Sequence, residues 1–151
     1  MADGGRCYYL EVAPSDSDPS LTGWGDYGTP VDGVTTYSAE PILSSQLLES
    51  IGKGRRDTQL IVVHMTGKGE SDTAAQAASV PQGNQNDWFL PSIGELDELY
   101  KSGVISSPTS FYWSSSQYNP NNAWSLRFSD GLPGGSVTKG YLFSVRAIRA
   151  F

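Results

Sequence analysis

Leu90-Pro91-Ser92-Ile93-Gly94-Glu95-Leu96-Asp97-Glu98-Leu99-Tyr100-Lys101-Ser102-Gly103 is the stretch on which the fold turns. Ser92 and Glu95 have the spacing of a capping box, in which each side chain satisfies a free backbone amide at the start of a helix. A helix therefore begins at Ser92 or Ile93, and Gly103 ends it. Ile93, Leu96, Leu99 and Tyr100 form its apolar face, with Asp97, Glu98 and Lys101 outside. C-terminal to it the pattern changes to strands. Phe111-Tyr112-Trp113 opens one; Ala123 to Ser129 alternates Trp124, Leu126 and Phe128 inward against Ser125, Arg127 and Ser129 outward; Tyr141 to Phe151 forms the last.

Towards the N-terminus, Cys7 to Ala13 reads as a first strand, stopped by Pro14 and the cluster Ser15-Asp16-Ser17-Asp18. Residues 14–40 form a long loop held to the body by Trp24, Tyr27 and Tyr37. Between Pro41 and Gly52, Leu43, Leu47, Leu48 and Ile51 fall at helical spacing. Asp57 to Met65 fits either a buried strand or a helix, and helix is preferred, with Asp57 as its N-cap. Residues 66–86 read as loop with a helical turn over Thr73 to Ala78. Early strand, middle helices and late antiparallel strands give an α+β fold whose first and last strands pair, bringing the termini together.

The 151 residues fit one domain, 1–151, that needs no disulfide or metal to hold its core. With 38% hydrophobic and 17% charged residues, 17 glycines and 9 prolines, the chain is a loop-rich globular protein rather than a disordered or coiled-coil one. Its longest aliphatic run, Leu60 to Val63, is far below the roughly 18 apolar residues of a membrane span. Met1 to Arg6 lacks the apolar segment of a secretory signal. The net charge of −6 is uneven: 15 of the 16 acids precede residue 100, whereas residues 100–151 hold Asp130 against five bases. Five cations spread over some fifty residues do not make a nucleic-acid stripe, so no nucleic-acid partner is expected.

Chemistry-bearing motifs are scarce. Gly52-Lys53-Gly54-Arg55-Arg56 lacks the Walker and dinucleotide spacings and reads as a connecting loop. His64 is the only histidine and Cys7, read as a small buried side chain, the only cysteine, which leaves little for a metal centre or a histidine-based triad. Ser114-Ser115-Ser116 has no nucleophile elbow around it and suits strand hydrogen bonding. Glu95, Asp97 and Glu98 suit the positive end of a helix. Arg146 and Arg149 suit internal ion pairs or carbonyl contacts. No enzyme, cofactor or metal is expected. Residues 117–143 instead mix Tyr, Asn, Ser and Gly within a fixed apolar frame, the composition of recognition loops, although turn chemistry alone accounts for much of the Asn, Gly and Pro.

Asp87-Trp88-Phe89-Leu90-Pro91-Ser92, Glu95 to Tyr100, Tyr112-Trp113-Ser114-Ser115-Ser116, Asn122-Ala123-Trp124 and the ending Val145-Arg146-Ala147-Ile148-Arg149-Ala150-Phe151 together resemble a family of bacterial and phage C-type-lectin-fold domains. That family includes variable proteins of diversity-generating retroelements and the C-terminal domain of the Legionella collagen-like adhesin. The resemblance runs from about Cys7 to Phe151. It implies a C-type lectin fold with two main helices, small antiparallel sheets and long loops, and it supports helix over Asp57 to Met65.

By the same resemblance, about 7–116 and 144–151 are scaffold, including Trp113, Trp124, Leu126, Phe128, Val145 and Arg146, and about 117–143 is a hypervariable, ligand-binding region rewritten by adenine-directed mutagenesis. The implied ligand-facing positions are Gln117, Tyr118, Asn119, Asn121, Asn122, Ser125, Arg127, Ser129, Asp130, Leu132, Ser136, Val137, Thr138, Tyr141 and Phe143. The implied protein is a non-enzymatic receptor for a protein or cell-surface ligand, located at a cell surface or on a virion. The alternative is an invariant bacterial adhesin or lectin-like module that binds a glycan or polyanion. Asn119-Pro120-Asn121 replaces the Glu-Pro-Asn or Gln-Pro-Asp of calcium-dependent sugar binders, and Trp-Asn-Asp is absent, so a calcium-bridged sugar is not expected.

Overall fold

The computed structural model describes residues 2–3, 6–7, 9–17, 21–105 and 111–151, with only the backbone at 2–3 and 6–7, so the Cys7 side chain lies outside the described residues. β1 (Ala2–Asp3) and β2 (Arg6–Cys7) form a short antiparallel pair. The expected first strand, Cys7 to Ala13, is shortened to β3 (Leu10–Val12): Cys7 belongs to β2, and Tyr9 and Ala13 lie outside any strand. Four helices follow: α1 (Ser44–Ser50), α2 (Gly54–Gly67), α3 (Ala74–Ala78) and α4 (Ile93–Ser102). The chain ends in β4 (Phe111–Gln117), β5 (Asn122–Arg127), β6 (Leu132–Thr138) and β7 (Ile148–Ala150). The result is a mixed α+β fold of short helices and small antiparallel sheets.

The chain ends pair as the sequence predicts: Leu10 faces Ala150, Glu11 faces Arg149 and Val12 faces Ile148. β4, β5 and β6 form a three-stranded antiparallel sheet in that order. Both faces of its β4–β5 core are covered. Trp113 and Ala123 join Trp24, Ile61, Met65, Trp88 and Leu90 in one apolar cluster, while Tyr112, Trp124 and Leu126 join Phe89, Ile93, Leu96 and Ile148 in another. A two-sided core removes the usual in-and-out alternation, so Ser125, expected outside, is only 1% exposed.

Four indole N–H groups fix the loops, each donating to a distant or local backbone carbonyl. Trp24 Nε1 donates to Ser114 O at 2.8 Å, Trp113 Nε1 to Thr22 O at 2.8 Å, Trp124 Nε1 to Tyr37 O at 2.9 Å and Trp88 Nε1 to Gln82 O at 3.2 Å. A buried tryptophan needs such an acceptor, and three of these tie the segment 21–37 to the sheet. Trp24 and Tyr37 are buried anchors as expected, but Tyr27 is 63% exposed.

The capping box of α4 is formed: Ser92 Oγ accepts from Glu95 N–H at 3.2 Å, and Glu95 Oε1 accepts from Ser92 N–H at 2.8 Å. Gly103 closes the helix with φ 68°. Asp97, expected on the outer face, is buried and bonds Lys101 at 2.8 Å. On α1, Leu43 and Leu48 are exposed instead of packed, and Leu47 carries the contact with the core. α2 begins three residues before Asp57, which is wholly buried in its first turn rather than capping it. Gly54 sits so close to α4 that a Cβ there would lie 2.2 Å from Glu95 Oε1 and 2.9 Å from Leu90 O. The last strand is limited to Ile148–Ala150, and β6 occupies a segment that the sequence marks only as strand-and-loop surface.

Candidate functional site

Most of the residues singled out in 117–143 occupy the two ends of the β4–β5–β6 sheet, with Ser125 in mid-strand between Trp113 and Gly134. In the register, Asn122 faces Thr138 and Arg127 faces Leu132. Five strand steps separate those rungs, about 17 Å. One end gathers Tyr118, Asn119, Asn121, Asn122, Thr138 and Tyr141; the other holds Arg127, Ser129, Asp130 and Leu132. Ser136 and Val137 lie along β6 nearer the first end, and Phe143 follows it.

Beneath the first end is a satisfied polar frame. Gln117 is only 3% exposed. Its Oε1 accepts from Val31 N–H at 3.0 Å and from the Lys139 ammonium at 2.8 Å, and its Nε2 donates to Val31 O and Thr36 Oγ1. Lys139 is wholly buried, donates also to Thr29 O at 2.9 Å, and lies 4.6 Å from the centre of the Trp24 ring. Burial lowers its pKa from the usual 10.5 to about 8, against the pull of Asp26 and Glu70. Asn119 is the turn former: its Oδ1 accepts from the N–H groups of Asn121 and Asn122, each at 2.8 Å. Tyr118 packs edge-on against Trp124, centroids 5.6 Å apart. Gly135 permits that contact, since a Cβ there would lie 2.3 Å from the Tyr118 ring.

Above this frame, Asn121, Ser136 and Tyr141 are exposed, and Asn122, Val137 and Thr138 are half-buried. Phe143 is half-buried, stacked on Phe111 and tilted against Trp113, both with centroids 4.8 Å away. Gln117 and Ser125 are interior side chains. At the second end, Ser129 and Leu132 are exposed, and Arg127 grips Asp130 through Nε at 2.9 Å and through Nη2. The guanidinium holds the Asp130 carboxyl below the usual range.

One residue outside the region also meets it. Glu40 Oε1 accepts from the N–H groups of Gly135 and Ser136 on the outer edge of β6. No local pattern around Glu40 announces this contact, which spans 95 positions.

All five bases after residue 100 are internally engaged. Lys101 pairs with Asp97 and Arg127 with Asp130, while Lys139 donates to Gln117 and Thr29. Arg146 pairs with Asp16 at 2.8 Å, and Arg149 with Glu11 at 2.7 Å and Asp87 at 2.8 Å. The last two are the internal pairings that their apolar neighbours suggest. Among the described residues no group of three or more His, Cys, Asp or Glu side chains could hold a metal. His64 Nε2 contacts Asp26 Oδ2, and among the described residues no helix is long and apolar enough to cross a membrane. A cleft of about 430 Å³ lies outside 117–143, bounded by Arg55, Gln59, Asp87, Trp88 and Phe89.

No protein-family model matches the chain, and no curated protein does. Among solved structures it is similar to a fimbrial protein from Bacteroides ovatus, with a TM-score of 0.53 and 18% identity over 93% of this chain. The chain spans about a third of that protein's length, 34%. At this identity the likeness is one of fold.

Proposed function

We propose that the chain is a ligand-binding domain of C-type lectin fold, displayed at a cell or virion surface, whose C-terminal segment is diversified by retroelement mutagenesis to recognise varied protein or cell-surface ligands. The observation that carries this reading is the contrast in exposure at one sheet end. Asn121, Ser136 and Tyr141 are exposed on the segments that adjoin the buried Gln117 and Lys139, whose polar atoms are already committed to one another and to the backbone. Exchanging the exposed side chains leaves the buried pair intact, which is what a diversified surface requires. The reading is non-enzymatic: contact area and adaptable hydrogen bonds do the work, with exposed aromatic side chains as anchors.

An invariant adhesin is the second reading, and the likeness to a fimbrial protein favours it. Within that reading, a neutral glycan or protein suits the surface better than a polyanion, because the basic C-terminal third has its charges paired or buried. Deep sequencing of the gene's 3′ end from a source population separates the two readings. Dense substitutions at adenines within codons 117–143, with Trp113, Trp124 and Arg146 unchanged, support diversification. A uniform 3′ end overturns it and leaves the fixed adhesin.

A further inference from the structure

Tyr27 lies outside residues 117–143, and it stands on a turn that borders the proposed ligand surface. The turn Gly25-Asp26-Tyr27-Gly28 has φ of 105° at Gly25, 46° at Asp26 and 94° at Gly28. A left-handed aspartate is unfavourable, so the surrounding structure must hold it. Asp26 N–H donates to both oxygens of Glu70, at 3.0 and 3.2 Å, and the Asp26 carboxylate meets His64. At Gly25 a Cβ would lie 2.8 Å from Glu70 Oε2 and from Thr73 Cγ2, so the backbone is pressed against the helical side.

The sheet side holds the same turn. Gly25 N–H donates to Lys139 O at 3.4 Å, Gly28 N–H to Pro120 O at 3.1 Å, and Thr29 O receives the Lys139 ammonium. Those partners belong to the two segments, 119–122 and 138–141, that present Asn121 and Tyr141. A turn held from both sides fixes the place of its central side chain. Here the centre is a tyrosine left 63% exposed.

We infer that Tyr27 is a fixed aromatic contact of the ligand surface, supplied by the scaffold beside the segments 118–122 and 138–141, and that the ligand it meets is a protein surface of mixed apolar and neutral polar character. The partner's chemistry follows from the charges around the turn. Lys139 is buried, and the Asp26 and Glu70 carboxylates are each tied to a partner within the scaffold, which leaves the phenol ring as the group this turn offers for contact. Tyrosine suits such a role, giving rigid amphipathic area at a small entropy cost. The inference rests on the reading of 117–143 as a ligand surface.

The test is a display library of the full chain, randomised at Asn121, Ser136, Thr138 and Tyr141 with Tyr27 kept, and selected on immobilised lysozyme. In the recovered binders, Tyr27→Ala should weaken binding at least tenfold in most clones, Tyr27→Phe should stay within threefold, and the melting temperature should be unchanged. Re-randomising position 27 in those clones and reselecting should return mainly Tyr, Trp and Phe, a readout that does not depend on how well the alanine variant folds. Affinities within threefold for Tyr27→Ala, or no aromatic enrichment at 27, overturn the role of Tyr27 while leaving the surface reading intact. Recovery of no binders overturns the surface reading and this inference with it.

Discussion

The Lys139 ammonium donates a 2.8 Å hydrogen bond to Gln117 Oε1, joining the residue that follows β6 to the last residue of β4. The same ammonium reaches Thr29 O and the same amide reaches Val31, so two sheet strands and the 21–37 loop share one polar junction. The junction is buried and its groups bond one another and the backbone, which makes the frame independent of what the exposed side chains beside it carry.

Lys139 gives that junction a pH signature. Its pKa falls from the usual 10.5 to about 8 on folding, so above pH 8 the unfolded chain binds the proton that the folded chain has released. Stability from this group therefore rises with pH, by about 2 kcal/mol between pH 7 and 9.5. Denaturant unfolding across that range should show the rise in the native protein and lose it in Lys139→Met. An identical pH slope in the two proteins would mean that the ammonium is not held in a dry site.

Gly94 tests the close approach of α1 and α4. By helix propensity alone Gly94→Ala should stabilise α4 by about 1 kcal/mol. The added Cβ, however, would lie 1.9 Å from Leu47 O and 2.4 Å from Ser50 Oγ. Backbone cannot yield cheaply, so the expected outcome is a loss of about 2 to 4 kcal/mol. Gly134→Ala is the control, because its Cβ would meet only Val137 Cγ2 at 3.5 Å, and its unfolding midpoint should match the native protein or exceed it.

Where sequence reading succeeded, the signal was local. The α4 cap needs only Ser92, Glu95 and Gly103, and each acts within one helix end. The pairing of Leu10–Val12 with Ile148–Ala150 follows from apolar runs at both ends of the chain. Elsewhere the deciding contact was distant. β6 contains Pro133, Gly134 and Gly135, which read as turn residues, yet Gly135 is required because the Tyr118 and Trp124 rings lie where its Cβ would be. Ser125 looks outward-facing by alternation and Gln117 is ligand-facing only by the family resemblance, and a sheet covered on both faces buries them. Tyr27 looks like an anchor by type, and no local pattern reports the clamps from Glu70 and Pro120 that hold its turn at the surface.

Heparin binding offers a direct check on the basic C-terminal third. Each of its five cations has an internal partner, so capture of a sulfated chain would require breaking pairs such as Arg146 to Asp16 at 2.8 Å. Isothermal titration with heparin at about 50 mM salt should detect no binding, although screening is weak there. Salt-sensitive binding in the micromolar range would show that these pairs open and would restore the polyanion reading.

Tyr141 and Phe143 are two residues apart, and truncation should separate their roles. Tyr141 is 57% exposed and touches Phe143 edge-on at 6.0 Å, so Tyr141→Ala should change stability by less than about 0.5 kcal/mol. Phe143 stacks on Phe111 and leans on Trp113, while its backbone exchanges hydrogen bonds with Thr22 at 2.8 and 3.0 Å. Phe143→Ala should cost about 2 to 3 kcal/mol, the half-buried end of aromatic truncations. Thermal melts of the two variants decide the matter. If Tyr141→Ala melts well below the native protein, Tyr141 belongs to the frame and the ligand surface must be redrawn around Asn121 and Ser136; if Phe143→Ala is neutral, its ring is free to serve that surface.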